Sequence, residues 1–323
     1  MKVIHWLSAG ALLASVGAAP AVAQETLVAP GPRGDLAGTL VAPAEGQPLV
    51  LIIPGSGPTD RDGNSPLGVT AAPYRLLADA LAERGIGTLR IDKRGMFASK
   101  AAVADANALT IADYVTDTAS WVGAARTATG AECLWLLGHS EGGIVALAAA
   151  QEVPHLCGII LVGVPGRPLA TVLREQLRAN PANAPLLEDA EAAIATLETG
   201  ERVDVTPLHP ALQSLFAPAV QGFLIDLMAQ DPAALAKQTD LPMLIVHGGT
   251  DLQVTTTDAQ MLRTAAPQAK YLEIPAMNHV LKDIPDDAPA ANRASYGDPS
   301  LPVSRALVAG VADFVTRDRG ASE

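Results

Sequence analysis

The chain has 323 residues, of which 49% are hydrophobic, 17% charged and 3% aromatic, and its formal charge is −12. That length and apolar content suit one large α/β domain or two small ones and exclude a disordered chain. An acidic balance with no Lys/Arg run argues against nucleic acid and anionic membrane surfaces as partners.

The N-terminus, "MKVIHWLSAGALLASVGAAPAVAQE", has one basic residue, Lys2, then an apolar stretch that Pro20 interrupts. Ala21-Val22-Ala23 supplies a small-residue cleavage site. The expectation is a secretory signal peptide over 1–23, and export to the periplasm or beyond. No Cys stands near that site to carry a lipid, so no stable membrane anchor is expected after cleavage.

Two weak strands near 26–29 and 35–42 are expected to form an antiparallel edge. Six apolar runs of strand length follow: "PLVLIIP" (48–54), "GTLRID" (87–92), "CLWLLG" (133–138), "CGIILVG" (157–163), "PMLIVHG" (242–248) and "KYLEIP" (270–275). Near-continuous Leu, Ile and Val is the pattern of strands buried on both faces. Helical patterns lie between and after them, at 74–85, 110–130, 141–152, 257–267 and 303–315. Thr110 caps the second and Gly130 ends it. Alternation of this kind predicts an α/β fold, a mostly parallel sheet with helices on both faces.

Residues 168–238 break the alternation. They hold helix-like pieces and no convincing strand, so a helical cap insertion is expected there, dividing a core of 24–167 and 239–323. Residues 283–302 read as a long Pro/Asp/Ala loop. Cys133 and Cys157 open two of the apolar runs. On neighbouring parallel strands both thiols would lie at the same end of the sheet. Either a disulfide in an oxidising compartment or two buried free thiols fits, and distance decides between them.

Gly138-His139-Ser140-Glu141-Gly142 matches G-x-S-x-G between a buried strand and a helix. Ser140 there is a candidate nucleophile on a strained corner, and side chains two positions either way would clash. A serine nucleophile needs a base, and the base needs an acid that holds its tautomer. His5 lies in the leader, His139 in the corner itself, His155 at the far end of the sheet and His209 in the insertion. His247 precedes any suitable acid and is expected to be a satisfied structural histidine. His279, in a loop after the last strand, is the base by elimination. Asp251 follows the "PMLIVHG" strand and is the acid; Asp240 precedes that strand, at the wrong end. The backbone N–H groups of Glu141 and Ser56 are the candidate oxyanion donors. The Glu141 carboxylate is expected to turn away from the developing charge, toward Arg94 or Arg61. The Ser56 loop, "PGSGPTDRDGN", lacks the Lys of a phosphate loop and the Gly and Glu positions of a calcium loop. Asp60, Arg61 and Asp62 are expected to hold its shape.

Taken together, "GSGPTDRDGN", "RIDKRG", "GHSEGG", "HGGTDLQV", "MNHVLK" and "SYGDPSLP" resemble a bacterial family of α/β-hydrolase esterases, near its serine-aminopeptidase-like and dienelactone-hydrolase-like branches. The resemblance spans residues 52 to about 302. It implies the α/β-hydrolase fold, a Ser140–Asp251–His279 triad and the Ser56 and Glu141 amides as oxyanion hole. Met96-Phe97 stands where the family has small residues, and these side chains are expected to line an acyl pocket. The expected activity is hydrolysis of a small-molecule carboxylic ester, with short acyl groups, needing no metal or organic cofactor. An aminopeptidase or amidase would use the same triad, with Glu188, Asp189 and Glu191 of the insertion available to hold an amine. A thioesterase, or a binding protein without catalysis, are the other readings.

Overall fold

The computed structural model describes residues 23–285 and 288–317. The expected leader lies outside the described residues except for Ala23. Among the described residues no helix is long and apolar enough to cross a membrane.

Eight strands form one sheet: β1 (Glu25–Ala29), β2 (Leu36–Val41), β3 (Leu49–Ile53), β4 (Gly87–Ile91), β5 (Leu134–His139), β6 (Leu156–Val162), β7 (Met243–Gly248) and β8 (Lys270–Ile274). Their spatial order is β1-β2-β4-β3-β5-β6-β7-β8. β1 and β2 are antiparallel, and β2 is antiparallel to β4; all later pairs are parallel. Every residue of β3, β4, β5 and β7 is buried, as their mostly apolar runs favour, and that includes the polar Thr88, Arg90, His139 and His247.

Helices cover both faces and build two cores. Helices α1 (Pro73–Ala82) and α11 (Arg305–Arg317) pack on one face, around Leu77, Trp135, Leu307 and Phe314. The other face takes α2 (Ile111–Thr129), α3 (Glu141–Ala149) and α9 (Thr256–Ala265), around Trp121, Ile144, Leu136 and Leu262. Thr110 and Asp113 close a capping box on α2, and Gly130 ends it at φ 73°, a left-handed cap that glycine adopts without Cβ strain.

Between β6 and β7 the chain forms α4 (Leu169–Ala179), α5 (Leu187–Glu198), α6 (Pro210–Leu215), α7 (Gln221–Met228) and α8 (Pro232–Gln238). The first four carry a small core of their own, including Ile194, Leu197, Leu212 and Phe216. This unit docks on the α2 side through two bonds from backbone to side chain: Ile111 N–H donates to the Asp226 carboxylate (2.7 Å) and Gly222 N–H to Asn107 Oδ1 (2.9 Å). Helix α8 packs on α3 and α9. The 283–302 segment is not wholly loop. Helix α10 (Pro289–Ser295) occupies its middle, starting on a proline whose missing N–H costs nothing at a helix start.

Cys133 and Cys157 are joined, with Cα atoms 5.3 Å apart. The bridge ties the start of β5 to the start of β6, at the opposite end of the sheet from Ser140. Closing a loop of 24-residue separation stabilises the fold by about 3.5 kcal/mol on the chain-entropy account.

Candidate active site

Ser140 sits between the end of β5 and the start of α3 at φ 53°, ψ −124°. For a residue with a Cβ this is strained backbone, held by its surroundings. Its N–H donates to Val162 O at 3.0 Å. The flanking glycines are required by contact. A Cβ on Gly138 would stand 2.3 Å from Gly142 O, and one on Gly142 would stand 2.3 Å from Ile53 O. The start of α3 therefore lies too close to β5 for a side chain at Gly138, and too close to the end of β3 for one at Gly142, as the motif predicts.

His279 follows β8, and its Nδ1 lies 2.8 Å from Asp251 Oδ2. The other Asp251 oxygen accepts N–H from Gln253 (2.7 Å) and Val254 (3.0 Å). Burial disfavours the charged carboxylate, but the His279 imidazole and these bonds outweigh it. The Asp251 carboxyl is held below its usual range. Gly163, at the end of β6, makes room for the pair. A Cβ there would come within 3.2 Å of Asp251 Oδ2, and its φ of 56° suits glycine. Nothing in the local sequence around Gly163 signals that role.

Ser140, His279 and Ser56 line one cavity of about 200 Å³, together with Thr59, Leu67, Val69, Gln253 and Tyr296. Among the described residues no hydrogen bond joins Ser140 to His279, and the Ser140 hydroxyl is bound to no other group. The Glu141 N–H is the first of α3 and has no acceptor within the helix. The Ser56 N–H is likewise unclaimed among the described residues. None of the cavity-lining residues is Asp or Glu, and none belongs to 168–238. The insertion reaches only the rim, where Gln176 Nε2 donates to Gln253 O at 2.8 Å. Glu191 is taken by Arg174 and Arg178 within the insertion.

The loop that carries Ser56 is built by its charges. Asp60 accepts N–H from Asp62 (2.9 Å) and Asn64 (2.8 Å), Arg61 pairs with Asp92 (2.6 Å), and Asp62 pairs with Arg90. Ser65 and Val69 then form a β-bridge with Leu67 exposed at the tip.

Three expectations need correction. Met96 and Phe97 do not line the cavity. Asp92 and Ser99 fold the turn after β4 away from it: Ala98 N–H donates to Asp92, and the Ser99 hydroxyl to Asp92 O, leaving Phe97 partly in solvent. The Glu141 carboxylate pairs with Lys93 at 3.0 Å, not with Arg94 or Arg61. Arg94 is held by Asp113 and Asp117, and Arg61 by Asp92. His247 bonds Thr256 through Nε2, but its Nδ1 is buried without a partner, so it is only half satisfied.

His139 does more than occupy the corner. Its Nε2 faces His279 O at 2.9 Å, and a carbonyl can only accept, so Nε2 carries the proton. Burial first, then the neighbouring His279, push its pKa down to about 3, so the ring is neutral. Nδ1 is then an acceptor, and the Tyr74 hydroxyl donates to it at 2.7 Å. Tyr74 in turn accepts the Gly55 N–H at 3.1 Å. A folded-state pKa below the usual 6.5 has a definite consequence. Between pH 6.5 and about 3 the unfolded chain binds a proton that the folded chain refuses. Stability should therefore fall as the pH is lowered through that window, by up to about 1.4 kcal/mol per pH unit from this residue. Urea titrations from pH 7 to pH 4.5 should show a shallower fall for His139→Gln; equal slopes would remove His139 as the source.

A model of the serine aminopeptidase family S33 matches residues 67–282, a span that includes Ser140, Asp251 and His279. The chain belongs to this family. Among curated proteins it is 29% identical over 241 residues to the esterase EstD of Thermotoga maritima; the match covers 72% of this chain and 54% of EstD. The chain thus spans about half the length of that relative. Among solved structures, Est1E from Butyrivibrio proteoclasticus superposes with a TM-score of 0.57 at 18% identity, covering 91% of this chain and 99% of Est1E. A thermophilic esterase from Thermogutta terrifontis gives a TM-score of 0.53 at 18% identity, over 92% and 99% of the two chains. At such identities the structural likeness establishes the α/β-hydrolase fold. Among the described residues no three His, Cys, Asp or Glu side chains gather as a metal-binding group.

Proposed function

We propose that this family member hydrolyses carboxylic esters through a covalent acyl-enzyme on Ser140. The observation that carries the reading is the strained Ser140 facing one cavity with His279, whose Nδ1 is held by Asp251. With Nδ1 occupied, Nε2 of His279 is the nitrogen free to take the Ser140 proton. The Ser140 oxygen attacks the ester carbonyl carbon, and the carbonyl oxygen becomes an oxyanion between the Ser56 and Glu141 amides. His279 returns the proton to the departing alcohol. Water, activated by the same imidazole, then releases the carboxylic acid and restores Ser140.

Esters are favoured over aminopeptidase substrates by the cavity wall. A free α-amine would enter as a cation, and no carboxylate lines the cavity to receive it. The small cavity supports short acyl groups. The leader sequence and the Cys133–Cys157 bridge support export to an oxidising compartment, periplasmic or secreted. The test is a direct comparison of p-nitrophenyl esters of increasing acyl length with amino-acid p-nitroanilides and an acyl thioester. Esters of two to four carbons should turn over fastest. Faster turnover of the anilides would overturn the ester reading, and failure of a fluorophosphonate to label Ser140 would overturn catalysis altogether.

A further inference from the structure

Gly55 lies beside the candidate oxyanion residue Ser56, and both of its backbone polar groups are claimed by buried side chains. Its N–H donates to Tyr74 at 3.1 Å. Its carbonyl accepts from Lys93 Nζ at 2.7 Å. The Gly55 carbonyl and the Ser56 N–H belong to the same peptide plane and point in opposite directions across it. Whatever holds that carbonyl therefore aims the Ser56 N–H. Lys93 itself is fully buried. It is neutralised by Glu141 Oε1 at 3.0 Å and lies 5.7 Å from the centre of the Tyr114 ring.

We propose that Lys93 is a positioning residue for the oxyanion hole: its ammonium, paired with Glu141, holds the Gly55 carbonyl so that the Ser56 N–H faces the cavity. This rests on the ester-hydrolase reading of that cavity. The arrangement acts in two ways. It fixes the direction of the donor before substrate arrives, so none of the reorganisation is left for the transition state. It also polarises the peptide, because a cation on the carbonyl makes the N–H of the same amide a stronger donor. The Glu141 carboxylate, adjacent to a developing negative charge, is neutralised by the same ion pair. Both donors thus depend on one buried contact: Glu141 offers its amide to the hole and its side chain to Lys93. Tyr74 holds the other end of Gly55 and reaches His279 O through His139, so the donor loop and the base loop share a hydrogen-bonded frame.

Lys93→Met alone would strand the Glu141 carboxylate in the interior, so the informative variant is Lys93→Met with Glu141→Gln. Its fold is checked by circular dichroism and its Ser140 by stoichiometric fluorophosphonate labelling. With p-nitrophenyl acetate as substrate, the acylation rate constant should fall roughly 10²-fold, the scale for one lost oxyanion donor. The inhibition constant of phenylboronic acid, whose tetrahedral adduct places an oxygen in the hole, should rise by a similar factor. Lys93→Arg, which keeps a cation and a donor, should recover part of both losses. Acylation and boronate affinity within threefold of the parent would overturn the proposal. So would an acylation loss with unchanged boronate affinity, because the hole would then be intact. If the double variant does not fold, Tyr74→Phe loosens the other end of Gly55 and should weaken boronate binding; unchanged binding there would also count against the frame. Failure of the ester-hydrolase reading is distinguishable, since the parent protein itself would then fail to turn over p-nitrophenyl acetate or would prefer the anilides.

Discussion

Ser140→Ala should lower kcat for p-nitrophenyl acetate by on the order of 10⁴- to 10⁶-fold while the melting temperature moves by no more than about 2 °C. The two halves of that outcome have separate causes. The hydroxyl is the attacking atom in the proposed chemistry, so nothing replaces it. Among the described residues it makes no hydrogen bond, so its removal leaves no partner unsatisfied. Alanine keeps the Cβ and thus the same strained φ of 53°. What holds that strain is the approach of β5 to α3, which the variant leaves alone. Stopped assays with burst titration would measure the first half, and thermal melts the second. Appreciable residual turnover would remove Ser140 from the mechanism.

Asp251→Asn should cost about 10⁴ in kcat with little change in KM. The local bonds say why. Asp251 Oδ1 accepts two backbone N–H groups, from Gln253 and Val254, so an asparagine should place its carbonyl oxygen there. Its NH₂ would then face His279 Nδ1 and donate to it. Nδ1 would have to be an acceptor and Nε2 would carry the proton, which is the tautomer that cannot accept a proton from Ser140. The loss should therefore come from the wrong tautomer of His279. Nitrogen-15 shifts of His279 would report the tautomer directly. An unchanged Nδ1–H signal would contradict this account.

The candidate site was legible in the sequence where it depends on order along the chain, and illegible where it depends on long-range polar contacts. Leu and Ile runs announce strands buried on both faces, and their ends fix where Ser140, Asp251 and His279 must fall. The glycines at 138 and 142 are readable because the corner they serve is local. Lys93, Tyr74 and His139 are different. Their partners lie 19 to 140 residues away in sequence, and no spacing rule connects a lysine after β4 to a carbonyl after β3. The sequence offers Arg94 or Arg61 for Glu141, and Arg94 stands one position from the partner the structure shows, Lys93. Lys93 opens a turn that the Met96 N–H closes onto its carbonyl, and the chain changes direction there, so neighbouring side chains reach different partners. Met96 and Phe97 misled for a related reason. Their apolar character suggested a pocket wall, but the turn is governed by what Asp92 and Ser99 can bond. Helix α10 was hidden by its composition, since Pro, Asp and Ala read as loop until Pro289 is recognised as a helix start.

The parallel link from β6 to β7 needs one crossover helix, and α8 meets that need by packing on α3 and α9. Helices α4 to α7 are thus surplus to the topology of the sheet. They bring their own core and contribute no wall to the cavity that holds Ser140. In evolutionary terms this segment is separable. A change of its length between the end of β6 and the start of α8 would not rethread the sheet.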